Sequence, residues 1–220
     1  MINFMINFMI NFVVSTVLLI YVLNCNNIII QNGRETMQGS IYTAFSDMVV
    51  EKMGMEQLNE LIEKTNPPSQ GVYTSGEQYL DSELVNMVQA LSVKTGIVTE
   101  ALVEKFGRYL FNKLYETSPI HISTINNLKS FLLAIDNLIH SEVKRLNPKA
   151  YLPTFEYETI DDNTLIMYYS SKRKLCHLCI GLIFGAADQF NEKVLIDHPE
   201  CMHHGASRCK LVINFKGQNE

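Results

Sequence analysis

The sequence predicts an α+β fold: an N-terminal helical subdomain, then a small antiparallel sheet packed with helices. Three observations predict it. Apolar residues recur at helical spacing through the first half beyond residue 36. Short alternating runs bounded by turn residues replace that pattern after about residue 150. One further helical run, 174–190, separates two pairs of such strands. Composition agrees with a globular chain: of 220 residues, 47% are hydrophobic and 19% charged, too apolar for disorder. Eleven Gly and six Pro exclude a collagen-like chain. A formal net charge of -5 argues against a nucleic-acid partner, which a basic surface would serve. Five Cys, an odd number with four of them after residue 175, do not form a secreted disulfide framework.

Residues 1–36 stand apart. MINF repeats three times, an apolar run follows, and Arg34 and Glu35 are the segment's two charged residues. Three readings fit this leader. A start codon placed too far upstream makes Met37 the true start, which is the preferred reading. A membrane anchor needs about 20 apolar residues, and 4–23 reach that length only by including Asn7 and Asn11. A signal peptide lacks its positive start and small-residue cleavage site. The expected organisation is leader 1–36, domain 37–216 and tail 217–220.

In order, Ile41, Phe45, Met48, Val49 and Met53 mark a helix that Gly54 ends. A second helix, 55–64, stops at Pro67-Pro68. Asp81 is read as the cap of a third, carrying Leu84, Val85, Val88 and Leu91 on one face. Thr99 starts a fourth, through Leu102, Phe106, Leu110 and Leu114. The longest helical pattern is 128–146, with a stripe of Phe131, Ile135, Leu138, Ile139, Val143 and Leu146. Strands are expected at 154–158 and 164–169 around an Asp161-Asp162-Asn163 turn, and at 193–196 and 208–215 around a loop rich in His and Cys.

Three groups carry chemistry. His198, Cys201 and Cys209 share one loop and strand start, while Cys176 and Cys179 lie three apart on the preceding helix. Thiolates and imidazole at such spacing in a reducing compartment suit tetrahedral zinc, with either helix Cys as the fourth ligand. Buried Cys can also be plain apolar filler. His203 and His204 are alternative ligands, read as solvent-facing. His140 falls roughly 120° from the centre of its helix's apolar stripe, so it is exposed or points into a second, smaller environment. Tyr169, Ser171 and Arg173 occupy every second position of an extended segment, a donor-rich clamp for carboxylate or phosphate, or else a polar strand end in solvent. Neither a nucleophile–base pair nor a Gly-rich phosphate loop is visible, so an enzyme has little support.

Together these pieces resemble the haem nitric-oxide/oxygen binding (H-NOX) domain, the bacterial relative of the sensor domain of soluble guanylate cyclase. MQGSIYTAF resembles the family's opening helix, NLIHSEV its proximal-histidine segment, and YYSSKR contains its Y-x-S-x-R signature. The resemblance covers about 180 residues, from Met37 to about Phe215. It implies a haem b held between helices and sheet, ligated by His140, its propionates bonded by Tyr169, Ser171 and Arg173, with Pro153 pressing on the macrocycle. It implies an apolar distal wall of Ile41, Phe45 and Leu178, Leu178 replacing the tyrosine of oxygen-binding members. It also implies a zinc site of the pattern Cys…His-x2-Cys-x7-Cys, here Cys176, His198, Cys201 and Cys209, with Cys179 the odd one out. The implied function is that of a sensor, not an enzyme, binding nitric oxide and also carbon monoxide. Its output is expected to pass to a separate histidine kinase or cyclic-di-GMP enzyme. The expected location is cytoplasmic, or anchored at the inner membrane if residues 1–36 are expressed. The alternative is a zinc/thiol redox switch.

Overall fold

The computed structural model describes residues 35–116, 125–146, 148 and 151–216, without the side chains of Glu142 and Leu146. Residues 1–34 of the leader, the tail and the Leu146 side chain at the end of the apolar stripe therefore lie outside the described residues. Among the described residues no helix is long and apolar enough to cross a membrane.

The helical half runs β1 (Thr36–Gln38), α1 (Gly39–Met53), α2 (Met55–Thr65), β2 (Gln78–Leu80), α3 (Asp81–Thr95) and α4 (Thr99–Glu116). The glycine at the end of α1 does what its position predicts: Gly54 has φ 91° and its N–H closes on Val50 O. Tyr42, Phe45, Val49, Leu61, Met87, Leu91, Phe106 and Leu110 form one buried core from these helices. β1 and β2 pair antiparallel, Met37 opposite Tyr79, an element that the sequence reading lacks. Asp81 is not a cap: Leu80 occupies that position without a side-chain bond, and Asp81 is the first residue of α3. Its carboxylate is bonded to Arg173 instead.

The 128–146 pattern is not one α-helix. It is α5 (Leu128–Ala134), a π-helical segment (Ile135–His140) and α6 (Ser141–Leu146). Asn127 caps the start by accepting from Ser130 N–H at 2.8 Å. A π turn steps its hydrogen bonds to i+5, so an angular count at α-helical spacing fails beyond Ala134. Leu138, expected in the buried stripe, is 40% exposed. Ile135 and Ile139 still pack on the sheet side.

The second half is β3 (Thr154–Thr159), β4 (Thr164–Ser170), α7 (Cys176–Gln189), β5 (Lys193–Glu200), a 3-10 turn (Met202–His204) and β6 (Cys209–Lys216). The sheet order is β3-β4-β6-β5, antiparallel throughout. Leu165, Met167, Leu211 and Ile213 on the strands meet Ile180, Ile183, Ala186 and Ala187 of α7 in a second core.

α4 and α7 join the two cores. Phe106 and Leu110 face the helical core and Phe111 the sheet core. Leu178 and Leu182 of α7 reach the helical core while Cys179 and Ile183 stay in the other. Glycines permit the close approach: a Cβ on Gly181 would lie 2.0 Å from Glu104 O, and one on Gly107 2.4 Å from Leu178 O. The Arg108 guanidinium grips both Asp188 oxygens, at 2.5 and 2.6 Å, along the same seam.

Candidate haem pocket and metal cluster

His140 ends the π segment, its side chain 18% exposed, so the second, smaller environment is the correct alternative. Its ring stacks on Phe155 of β3, centroids 5.5 Å apart at 26°. Nδ1 lies 2.8 Å from Asp136 Oδ1. A carboxylate only accepts, so this bond puts the ring proton on Nδ1 and leaves Nε2 with a free lone pair. Burial lowers the His140 pKa, with Asp136 opposing, which favours the neutral ring that a metal requires. Asp136 Oδ2 in turn accepts the Phe155 N–H at 3.2 Å. Sequence reasoning missed Asp136. Its i, i+4 spacing to His140 was the available signal.

The Y-x-S-x-R residues come together around a turn. Strand β4 ends at Ser170, so alternation accounts only for Tyr169. Beyond it the chain satisfies its own backbone. Lys172 N–H donates to the Tyr151 hydroxyl (3.0 Å), Arg173 N–H to Ser171 Oγ (3.2 Å), Lys174 N–H to Ser171 O (3.1 Å) and Leu175 N–H to the Tyr169 hydroxyl (2.9 Å). Lys174 adopts φ 50°, turning the chain into α7, which starts at Cys176 rather than Lys174. Tyr169 is 2% exposed and Ser171 7%. Burial pushes the Tyr169 phenol up, with Ser171 opposing, so its O–H stays protonated and able to donate.

Arg173 reaches across to the helical half. Nε donates to Asp81 Oδ2 at 2.5 Å, Nη2 to Thr36 O at 2.7 Å and Nη1 to Tyr151 O at 3.3 Å, with the Tyr151 ring 5.0 Å away. The guanidinium thus holds a carboxylate of this same chain, that of Asp81. Pro153, half-buried, lies between Tyr151 beside Arg173 and Phe155 beside His140, on the stretch joining the two halves of the site.

Ile41, Phe45 and Leu178 all belong to the helical core, with Phe45 edge-on to Phe106 at 5.4 Å. Two nearby polar groups are committed elsewhere. The Tyr42 hydroxyl donates to Leu80 O at 2.7 Å, and His177 faces the rings of His198 and His203. The donor set fits a haem: one buried imidazole with a free lone pair, a guanidinium and hydroxyl group suited to carboxylates, and an apolar wall.

The second group is a compact cluster. The ligand atoms of Cys176, His198, Cys201 and Cys209 all lie within 4.8 Å of one another. His198 continues the inward alternation of β5 after Val194 and Ile196, and the β5–β6 register shifts between Asp197 and Glu200. Cys176 Sγ is 3.9 Å from Cys201 Sγ, close to the roughly 3.8 Å that two thiolates at about 2.3 Å on tetrahedral zinc would span. His198 Nε2 is buried with no hydrogen-bond partner. Met202 N–H donates to Cys209 Sγ at 3.3 Å, and hydrogen bonding, first with Cys176, lowers the Cys209 thiol pKa against the opposing effect of burial. Cys179 stands outside the cluster, buried in the sheet core. His203, expected in solvent, is half-buried with Nε2 2.7 Å from Lys174 O, whereas His204 is exposed. The His203 ring faces that of His177, centroids 6.1 Å apart.

Comparison with known proteins gives this geometry a family. Soluble guanylate cyclase 89Db of Drosophila melanogaster is 26% identical over 157 residues, 70% of this chain. Soluble guanylate cyclase gcy-35 of Caenorhabditis elegans is 26% identical over 141 residues, 62% of this chain. The chain spans only 23% and 20% of the length of these relatives. Among solved structures, an H-NOX protein from S. oneidensis in the Fe(II)NO state matches at 36% identity and a TM-score of 0.77. That match covers 82% of this chain and all of the other. The unliganded Fe(II) H-NOX protein from K. algicida matches at 32% identity and 0.76, covering 84% and 99%. The haem-NO-binding family model matches residues 38–198, and the chain belongs to that family of gas-sensing haem domains.

Proposed function

We propose that the chain senses nitric oxide at a ferrous haem b and passes the signal to a separate partner protein, a histidine kinase or cyclic-di-GMP enzyme. One observation carries this reading: a buried His140 whose Nδ1 is held by Asp136 and whose Nε2 is free, beside a stretch leading to a carboxylate-gripping Arg173. When bound, the haem supplies an iron with one open coordination position for a diatomic gas. Nε2 of His140 would ligate that iron. Tyr169, Ser171 and Arg173 would hold the propionates, and Pro153 would pack against the macrocycle. Ile41, Phe45 and Leu178 offer a gas no side-chain donor, which favours nitric oxide and carbon monoxide over oxygen. Related H-NOX proteins from S. oneidensis and Shewanella woodyi have been solved in Fe(II)NO and Fe(II)CO states, which supports that choice. A haem held by both halves would bias the helical half against the sheet half, and a few kcal/mol of differential binding suffices for a switch. The chain itself performs no catalysis on this reading.

The cluster of Cys176, His198, Cys201 and Cys209 is proposed to hold structural zinc, supported by the orphaned His198 Nε2. It fastens the start of α7 to the β5–β6 hairpin.

Removing the imidazole tests the assignment. His140→Gly protein is expected to purify without haem, or to hold it only when imidazole is added. An unchanged haem absorption spectrum without imidazole would overturn the role of His140.

A further inference from the structure

The acidic partner of His140 does more than touch it. Asp136 stands four residues before His140 on the π segment, and its two carboxylate oxygens face different elements. Oδ1 is 2.8 Å from His140 Nδ1, and Oδ2 accepts the Phe155 N–H of β3 at 3.2 Å. Phe155 is also the residue on which the His140 ring stacks. The backbone of Asp136 is braced as well, its carbonyl accepting from Ser141 Oγ at 3.1 Å. The imidazole is therefore held at its edge by a carboxylate and on its face by a ring, and both holds end on Phe155.

We propose that Asp136 is a positioning residue for the iron ligand: it fixes the ring plane of His140 against β3 and, by pulling on the Nδ1 proton, strengthens the bond that Nε2 makes to iron. The inference rests on the reading of His140 as that ligand. A carboxylate behind a metal-bound histidine fixes its tautomer and raises its basicity, and losing such a partner costs typically 10–100-fold in metal affinity. The π segment fits this role. With α-helical hydrogen bonds, the ring of His140 would take a different angle, whereas the wider turn brings it onto Phe155 with Nδ1 facing Asp136. The carboxylate also links the haem ligand to the strand that follows Pro153, so a change at iron reaches the sheet through Asp136.

The test is resonance Raman spectroscopy of the reduced, ligand-free holoprotein, reading the iron–histidine stretch. Asp136→Asn keeps an oxygen for the Nδ1 proton and removes the charge, so the stretch is expected to move to lower frequency with haem retained. Asp136→Ala is expected to lower and broaden it, and to speed haem transfer to an apo-globin acceptor by about 10- to 100-fold. An Asp136→Asn stretch at the unmutated frequency would overturn the proposal while leaving His140 as ligand. Full haem retention with an unchanged spectrum in His140→Gly would instead overturn the ligand reading, and this proposal with it. If Asp136→Ala fails to fold, the Asp136→Asn frequency alone decides.

Discussion

Arg173 and Asp81 are separated by 92 positions in sequence and bonded in space, their side chains only 11% and 16% exposed. Removing one member of a buried pair leaves the other charge uncompensated, which costs about 3–5 kcal/mol. Arg173→Ala should therefore lower stability by about that much, as read in chemical denaturation, and speed haem loss by about tenfold or more at the energy of a charge-assisted bond. A pH signature accompanies it. Burial raises the Asp81 pKa above its ordinary 3.8, with the Arg173 hydrogen bond opposing. A raised carboxylate pKa means that the folded state binds the proton more tightly than the unfolded one. Its contribution to stability is thus greatest at low pH and is lost as pH rises through the folded pKa. Without Arg173 that pKa climbs further, so the stability gap between Arg173→Ala and the unmutated protein should narrow as pH falls from 7 toward 5. A gap independent of pH would contradict the pairing. At this scale the sequence revealed residue types better than partners. His140, Arg173 and the four cluster residues are legible from spacing and motif. The Asp81 partner, distant along the chain, is not, and so Asp81 reads as a helix cap.

Elements were legible wherever one face is buried. The first three helices and the two hairpins follow their apolar periods because each packs a single side on one core, and α4 keeps a helical period while facing both. The π segment was hidden because apolar spacing does not report which carbonyl each N–H chooses. Three-residue strands such as β1 and β2 are too short for alternation to register. The α4–α7 seam makes a direct prediction. Gly181→Ala places a Cβ against the Glu104 carbonyl and should cost about 1–3 kcal/mol by overpacking, whereas Gly76→Ala, with nothing near its Cβ, should change little. Equal midpoints for the two variants would refute that close approach. The β5–β6 hairpin gives another. If zinc sits at the cluster, purified protein carries one equivalent by elemental analysis. Stripping it with a chelator, or making Cys209→Ser, should lower the melting temperature by about 5–10 °C, given a binding contribution of about 2.7 kcal/mol or more. A metal-free preparation melting at the same temperature as a zinc-supplemented one would remove zinc from the account.

Across the whole molecule, two cores share one seam, and the candidate haem residues lie on both sides of it. Ile41, Phe45 and Leu178 belong to the helical core, while His140 and Tyr169 are held against the strands. Arg173 spans the gap through Asp81 and Thr36. A ligand contacting both halves can bias their relative position, which is what a sensor domain requires. The α+β order was legible because helical and alternating periods occupy separate stretches of the chain. How the halves meet was not, because glycine contacts and long-range pairs leave no local period. The central claim is that this pocket holds a haem selective for nitric oxide. Its most direct measurement is the absorption spectrum of the dithionite-reduced protein, alone, with nitric oxide, with carbon monoxide and in air. The account predicts a strong Soret band that shifts with both gases, and slow oxidation in air without a long-lived oxygen-bound spectrum. A protein with no Soret band, or one that holds oxygen stably in air, would contradict it.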